Sequence, residues 1–148
     1  MITRYIKGDI TETELKYIGH GVNCQNKIGS GVAKALYEKF PEVKEQYHKF
    51  FEYPRGKSPL GCSQLVHTKE GKRIYNLFTQ EYYGYDEKRY VNYAALVNCF
   101  MELAEFRAGE TIAIPKIGCG LAGGDWNIVE QLINDTVGDD LEIWVYEL

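Results

Sequence analysis

A chain of 148 residues, 45% hydrophobic and 26% charged, has the length and composition of one compact globular domain with a single core. The net charge of −4, with no basic stripe, argues against a nucleic-acid binder that works by general phosphate neutralisation. The four cysteines, Cys24, Cys62, Cys99 and Cys119, lack the spacing of a zinc site or a disulfide framework, so no metal is expected and a reducing, cytoplasmic setting is preferred.

Ile2 to Lys7 alternates and stops at Gly8-Asp9, which reads as a strand ending in a turn. Residues 10–14 carry cap-type threonines and suit only a short helical turn. Tyr17 to Asn23 is a second strand, interrupted by Gly19 and Gly21, where another backbone or a ligand can come close. A glycine-rich loop, Lys27 to Val32, follows. Val32, Ala35, Leu36 and Phe40 then fall at helical spacing, Pro41 ends that helix or begins the next, and Val43, Tyr47, Phe50 and Phe51 mark the face of a second helix. Tyr53 to Pro59 is a loop.

Cys62 to Thr68 and Arg73 to Thr79 flank a glycine turn and predict a β-hairpin. Residues 80–88 form a tyrosine-rich loop, and Tyr90 to Arg107 a long amphipathic helix. Thr111 to Pro115 is an apolar strand suited to the centre of a sheet. A second glycine-rich loop, Ile117 to Gly124, leads to Asp125, which opens a helix, and Leu141 to Tyr146 is the closing strand. No stretch approaches the ~18 apolar residues of a membrane span. The order predicts an α/β fold with helices on both sides of a mixed sheet.

Both glycine-rich loops sit between an apolar strand and an amphipathic helix. Glycine there lets the backbone turn tightly and expose N–H groups, and a helix N-terminus adds unpaired donors and partial positive charge. Two such units at one sheet edge suit a diphosphate gripped from two sides, in the crevice where ligands of open α/β sheets bind. Neither loop is a GxxxxGK[ST] motif, which excludes a P-loop nucleotidase, and the first loop, GSG, is not the dinucleotide GxGxxG fingerprint and has no acidic ribose partner at the expected distance.

The opening "YIKGDI", the block "HGVNCQNKIGSGVAKALYEKFP", the block "IPKIGCGL" with Trp126 behind it, and the final "WVYEL" resemble the macrodomain family along the whole chain. The likeness is greatest to the branch of the terminal ADP-ribose glycohydrolase and the yeast-type ADP-ribose 1″-phosphate phosphatase. The resemblance implies a single three-layer α/β/α macrodomain over residues 1–148, with a cleft for ADP-ribose and no cofactor. It assigns the adenine amino group to Asp9, with the backbone of Ile10 beside it. The distal ribose and a phosphate fall to Lys27, Ile28, Gly29, Ser30, Gly31 and Val32, and the diphosphate to Gly118, Cys119, Gly120, Leu121 and Ala122. Where the glycohydrolase has its catalytic lysine and aspartate, this chain has Gln80 and Ala122. Glutamine forms no covalent sugar adduct and alanine is no base.

The catalytic candidates are therefore Asn23, His20 and Asp125. Asn23 would hold the distal ribose or position a water, against ordinary turn bonding. His20 would orient or protonate a phosphate, against a structural strand histidine. Asp125 would serve as a base, against a plain N-cap. Cys119 reads as packing rather than nucleophile, and Tyr82, Tyr83 and Tyr85 as a wall at the cleft mouth. Dephosphorylation of ADP-ribose 1″-phosphate needs the fewest residues and is the expected activity. Removal of ADP-ribose from ADP-ribosylated macromolecules, or non-enzymatic ADP-ribose binding, are the alternatives. A monomer without membrane association is expected.

Overall fold

The computed structural model describes residues 1–53, 56–86 and 88–148. Six strands, β1 (Ile2–Lys7), β2 (Tyr17–Asn23), β3 (Ser63–His67), β4 (Arg73–Gln80), β5 (Thr111–Ile114) and β6 (Glu142–Glu147), form one sheet in the order β1-β6-β5-β2-β4-β3. Every neighbouring pair is parallel except β3 with β4, so the sheet is mixed as expected. Its central strands carry near-continuous apolar runs because both faces are covered. On one face Leu77, Ile112 and Ile143 pack against α3 (Tyr93–Phe106) and α4 (Trp126–Val137). On the other, Ile18, Ile74 and Phe78 lie among the α1 (Gly31–Lys39) and α2 (Glu42–Phe50) residues Leu36, Val43 and Tyr47. The result is the α/β/α sandwich. Among the described residues no helix is long and apolar enough to cross a membrane.

The single turn after β1 is a 3-10 turn, Ile10–Glu12, capped by Asp9. Pro41 is the N-cap of α2 and separates it from α1. Strand ends shift by a residue from the sequence reading at β3, β5 and β6, and two further differences bear on the site. Gln80 belongs to β4, not to the tyrosine loop, and it bridges to Val91. That bridge keeps residues 90–92 extended, and the Asn92 side chain accepts the Ala95 N–H, so α3 begins at Tyr93 rather than Tyr90. Pro54 and Arg55 of the expected loop after α2, and Glu87 of the tyrosine loop, lie outside the described residues.

β2 and β5 both run into glycine-rich loops at their carboxyl ends, so the two loops meet above the middle of the sheet. Opposite β4, the register of β2 slips between Val22 and Asn23, which leaves Thr79 as an extra residue on β4. Such a bulge bends a strand and re-aims its side chains.

Candidate functional site

A cleft of about 1040 Å³ opens over these carboxyl ends. Asp9 and Ile10 line one end with Tyr146 to Leu148. Asn23, Lys27 to Val32 and Gly118 to Ala122 line its length, and Thr79, Gln80, Tyr83 and Tyr85 the other end. Every residue that the resemblance assigns to ADP-ribose is therefore in one cleft.

The first loop is braced from beneath. The Asn23 carboxamide oxygen accepts the Gln25 N–H and the Tyr47 hydroxyl, both at 2.9 Å, and its nitrogen donates to the Lys27 carbonyl at 2.7 Å. The Tyr47 hydroxyl also accepts the Lys27 N–H at 3.1 Å. Asn23 thus makes turn bonds from both sides of its amide, which brace the loop and use one of its two amide hydrogens, while the residue also lines the cleft. The loop it holds leads to α1, whose N-cap Ser30 makes no side-chain bond. Among the described residues, the amides of Ile28 to Val32 donate to nothing within the chain. Gly31 has φ +59°, a conformation that favours glycine, and it turns this backbone toward the cleft.

The second loop is folded onto its neighbours. Gly118 (φ +77°) and Gly124 crowd Val91, where added Cβ atoms would each lie 2.7 Å from a valine methyl. The Ala122 carbonyl accepts the Tyr90 and Val91 N–H groups at 2.6 and 3.1 Å, and Gly124 N–H donates to the Gly118 carbonyl. The amides of Gly120, Leu121 and Ala122 donate to no described residue, and a Cβ on Gly120 would meet nothing within 4 Å. Three consecutive free amides in a tight loop make an anion-binding concavity.

The remaining candidates divide. Asp9 spends one carboxylate oxygen on the Thr11 N–H and hydroxyl, at 2.9 and 2.8 Å, and the other takes no part in those bonds. Asp125 does not line the cleft: it is exposed and caps α4 by accepting the Asn127 N–H at 2.9 Å. That geometry gives it the N-cap role and supplies no base to the cleft. Cys119 donates to the Ile117 carbonyl at 3.4 Å, and burial pushes its thiol up to about 11, so it carries little thiolate. Gln80 donates to the Tyr82 carbonyl at 2.7 Å. His20 is buried, with its Nε2 2.5 Å from the Asn76 carboxamide oxygen, and burial pushes it down to about 4. It is neutral near pH 7, so protonation of a phosphate, one of the roles read for it, is not available to it there. No cluster of His, Cys, Asp or Glu that would hold a metal occurs among the described residues.

The sequence reading did not pick out Thr79. It is buried on the cleft floor, and a Cβ on Gly21 would lie 2.7 Å from its hydroxyl. The glycine in β2 was the available signal, because it marks a close approach without showing of what.

Comparison with known proteins shows what this geometry is like. The Macro domain family model matches residues 20–133. A 17.5 kDa protein of Enterobacteria phage T4 is 38% identical, with 99% of this chain and 97% of that protein covered. The DNA ADP-ribosyl glycohydrolase of Mycobacterium tuberculosis is 29% identical over 88% of this chain, which spans 37% of that longer protein's length. An ADP-ribose 1″-phosphate phosphatase of Candida albicans is 23% identical over 97% of both chains. The solved macrodomain of Mycobacterium tuberculosis DarG superposes with a TM-score of 0.81 at 25% identity, covering 100% of this chain and 98% of that one.

Proposed function

Because the chain belongs to the Macro domain family, we propose that its cleft binds ADP-ribose and that the protein hydrolyses ADP-ribose 1″-phosphate to ADP-ribose and phosphate. The observation that carries this reading is the pair of free-amide stretches, Ile28 to Val32 and Gly120 to Ala122, both lining one cleft. N–H groups aimed at phosphate oxygens are already oriented, so they stabilise charge without reorganising.

Asp9 takes the adenine amino group with its second oxygen, the second loop holds the diphosphate, and the first loop with Lys27 holds the distal end. In the reaction water attacks phosphorus, the P–O bond to the ribose breaks, and the ribose oxygen leaves with a proton. Phosphoryl transfer of this kind asks for positioning and charge stabilisation more than covalent catalysis. That suits a cleft whose distal end has amides, a lysine and neutral side chains, but neither a lysine at position 80 nor an aspartate at position 122.

A second reading is removal of ADP-ribose from a modified macromolecule. The DNA ADP-ribosyl glycohydrolase relative favours it, as does the rim of exposed Tyr83 and Tyr85, which leaves the distal end open to a large attached group. Purified protein incubated with each substrate decides between them. Phosphate release from ADP-ribose 1″-phosphate, with no ADP-ribose released from modified DNA or protein, is expected; the opposite pattern replaces the first reading by the second. Asp9→Asn keeps a carbonyl oxygen to accept from Thr11 but sets an amide donor against the adenine amine. It should weaken ADP-ribose binding about tenfold or more, as a lost polar contact costs ~1–3 kcal/mol. Unchanged affinity in calorimetry would remove the adenine end from this assignment.

A further inference from the structure

Two buried side-chain polar atoms have no hydrogen-bond partner among the described residues, His20 Nδ1 and Thr79 Oγ1, and both residues line the cleft. Buried polar groups are nearly always satisfied, so each orphan calls for a partner from outside the chain. For His20 the hydrogen-bond network fixes what kind of partner that is.

The network starts at the Gln46 carbonyl oxygen, which can only accept. Gln64 therefore presents its amide nitrogen there, at 2.7 Å, and its oxygen toward Asn76. The Asn76 nitrogen donates to that oxygen at 3.0 Å, with a longer 3.5 Å contact to the Val43 carbonyl, a second group that only accepts. The Asn76 oxygen is left for His20 at 2.5 Å, so His20 Nε2 carries the proton and donates. A neutral imidazole has one N–H, and Nδ1 is then a bare lone pair. His20 pairs with Asn76 across β2 and β4, so Nε2 faces β4 and Nδ1 faces away from it.

We propose that His20 Nδ1 is a hydrogen-bond acceptor for a hydroxyl of the distal ribose, its polarity set by the Gln46–Gln64–Asn76 relay. The proposal rests on the ADP-ribose reading of the cleft and adds an orientation to it. A phosphate oxygen at physiological pH is itself an acceptor and is repelled by a bare ring nitrogen; a sugar hydroxyl donates. The distal ribose therefore turns a hydroxyl toward His20, and an ester phosphate lies on another side, toward Lys27 and the open amides of the first loop. His20 is on this view a substrate-positioning residue and a selector against ligands that would place phosphate at that wall.

Nitrogen-15 NMR of histidine-labelled full-length protein at neutral pH tests each step, with calorimetry under the same conditions. The His20 ring is expected as the Nε2–H tautomer in the free protein. Saturating ADP-ribose should move the Nδ1 resonance upfield, as for a lone pair that has accepted a hydrogen bond, and ADP, which lacks the distal ribose, should leave it in place. An Nδ1–H tautomer overturns the relay. ADP-ribose that binds in calorimetry without moving Nδ1 overturns the hydroxyl contact and leaves the proposed cleft ligand standing, as does an equal shift with ADP. ADP-ribose that does not bind overturns both.

Discussion

Ser30 and Asp125 hold the same station, each the N-cap of a helix that follows a glycine-rich loop, yet they treat it in opposite ways. Ser30 makes no capping bond and leaves the first-turn amides of α1 open to the cleft. Asp125 accepts the Asn127 N–H and sits outside the cleft. The second loop thus presents amides from the loop itself, through Gly120 to Ala122, and keeps the α4 terminus for stability. A strand, a glycine loop and a helix in succession do not by themselves deliver a helix terminus to a ligand. What decides is whether the cap residue satisfies the terminus internally.

The largest effect that separates the two loops should come from Gly120→Glu. A Cβ added at Gly120 has no neighbour within 4 Å, so the fold is expected to tolerate a side chain there. A carboxylate placed among the free amides competes for them and repels a diphosphate. Affinity for ADP-ribose is expected to fall by roughly a hundredfold or more, since charge repulsion in a cleft adds to the lost amide contacts. A melting temperature within a degree or so of the parent would show that the loss is local. Near-normal binding would mean that the second loop is not where the diphosphate lies.

A smaller, two-sided effect is expected from Ser30→Asp. An aspartate at this N-cap accepts from the first-turn amides of α1 as Asp125 does on α4, and it favours the positive end of the helix. Stability should rise by about 1 kcal/mol or less, while ADP-ribose affinity drops about tenfold because the anion site is now occupied by the chain's own charge. Calorimetry and thermal unfolding on the same sample measure both signs. Stability and affinity moving together would break the contrast between the two helices.

The same contrast explains what the sequence made legible. β2 was readable to the residue, because an apolar run bounded by a polar turn has few alternatives, and the β3–β4 hairpin followed from its glycine turn. The cleft walls were readable because glycine loops and the residues they carry are contiguous in the chain. The start of α3 was not, since it depends on the Gln80–Val91 bridge and the Asn92 cap. Nor was the state of His20. Its partner Asn76 lies 56 positions away, and the relay reaches on through Gln64 to the Gln46 carbonyl. No local pattern encodes a hydrogen-bond polarity assembled from three elements.

Asp125→Ala is the smallest expected effect and the one that isolates the capped helix. Removal of the cap leaves the Asn127 N–H without its side-chain acceptor, and N-cap replacements by alanine cost ~0.5–2 kcal/mol. Asp125 is exposed, so water takes over part of that role and a loss of about 1 kcal/mol is expected. If the aspartate is only a cap, ADP-ribose affinity and the rate of phosphate release stay within about twofold of the parent, since a surface change away from the ligand shifts energies by no more than ~0.5 kcal/mol. A general base lost from the site would instead lower turnover by a factor of roughly a hundred or more at unchanged affinity. A fall in turnover with intact stability would return Asp125 to the reaction, and it would show that the α4 terminus serves the cleft after all.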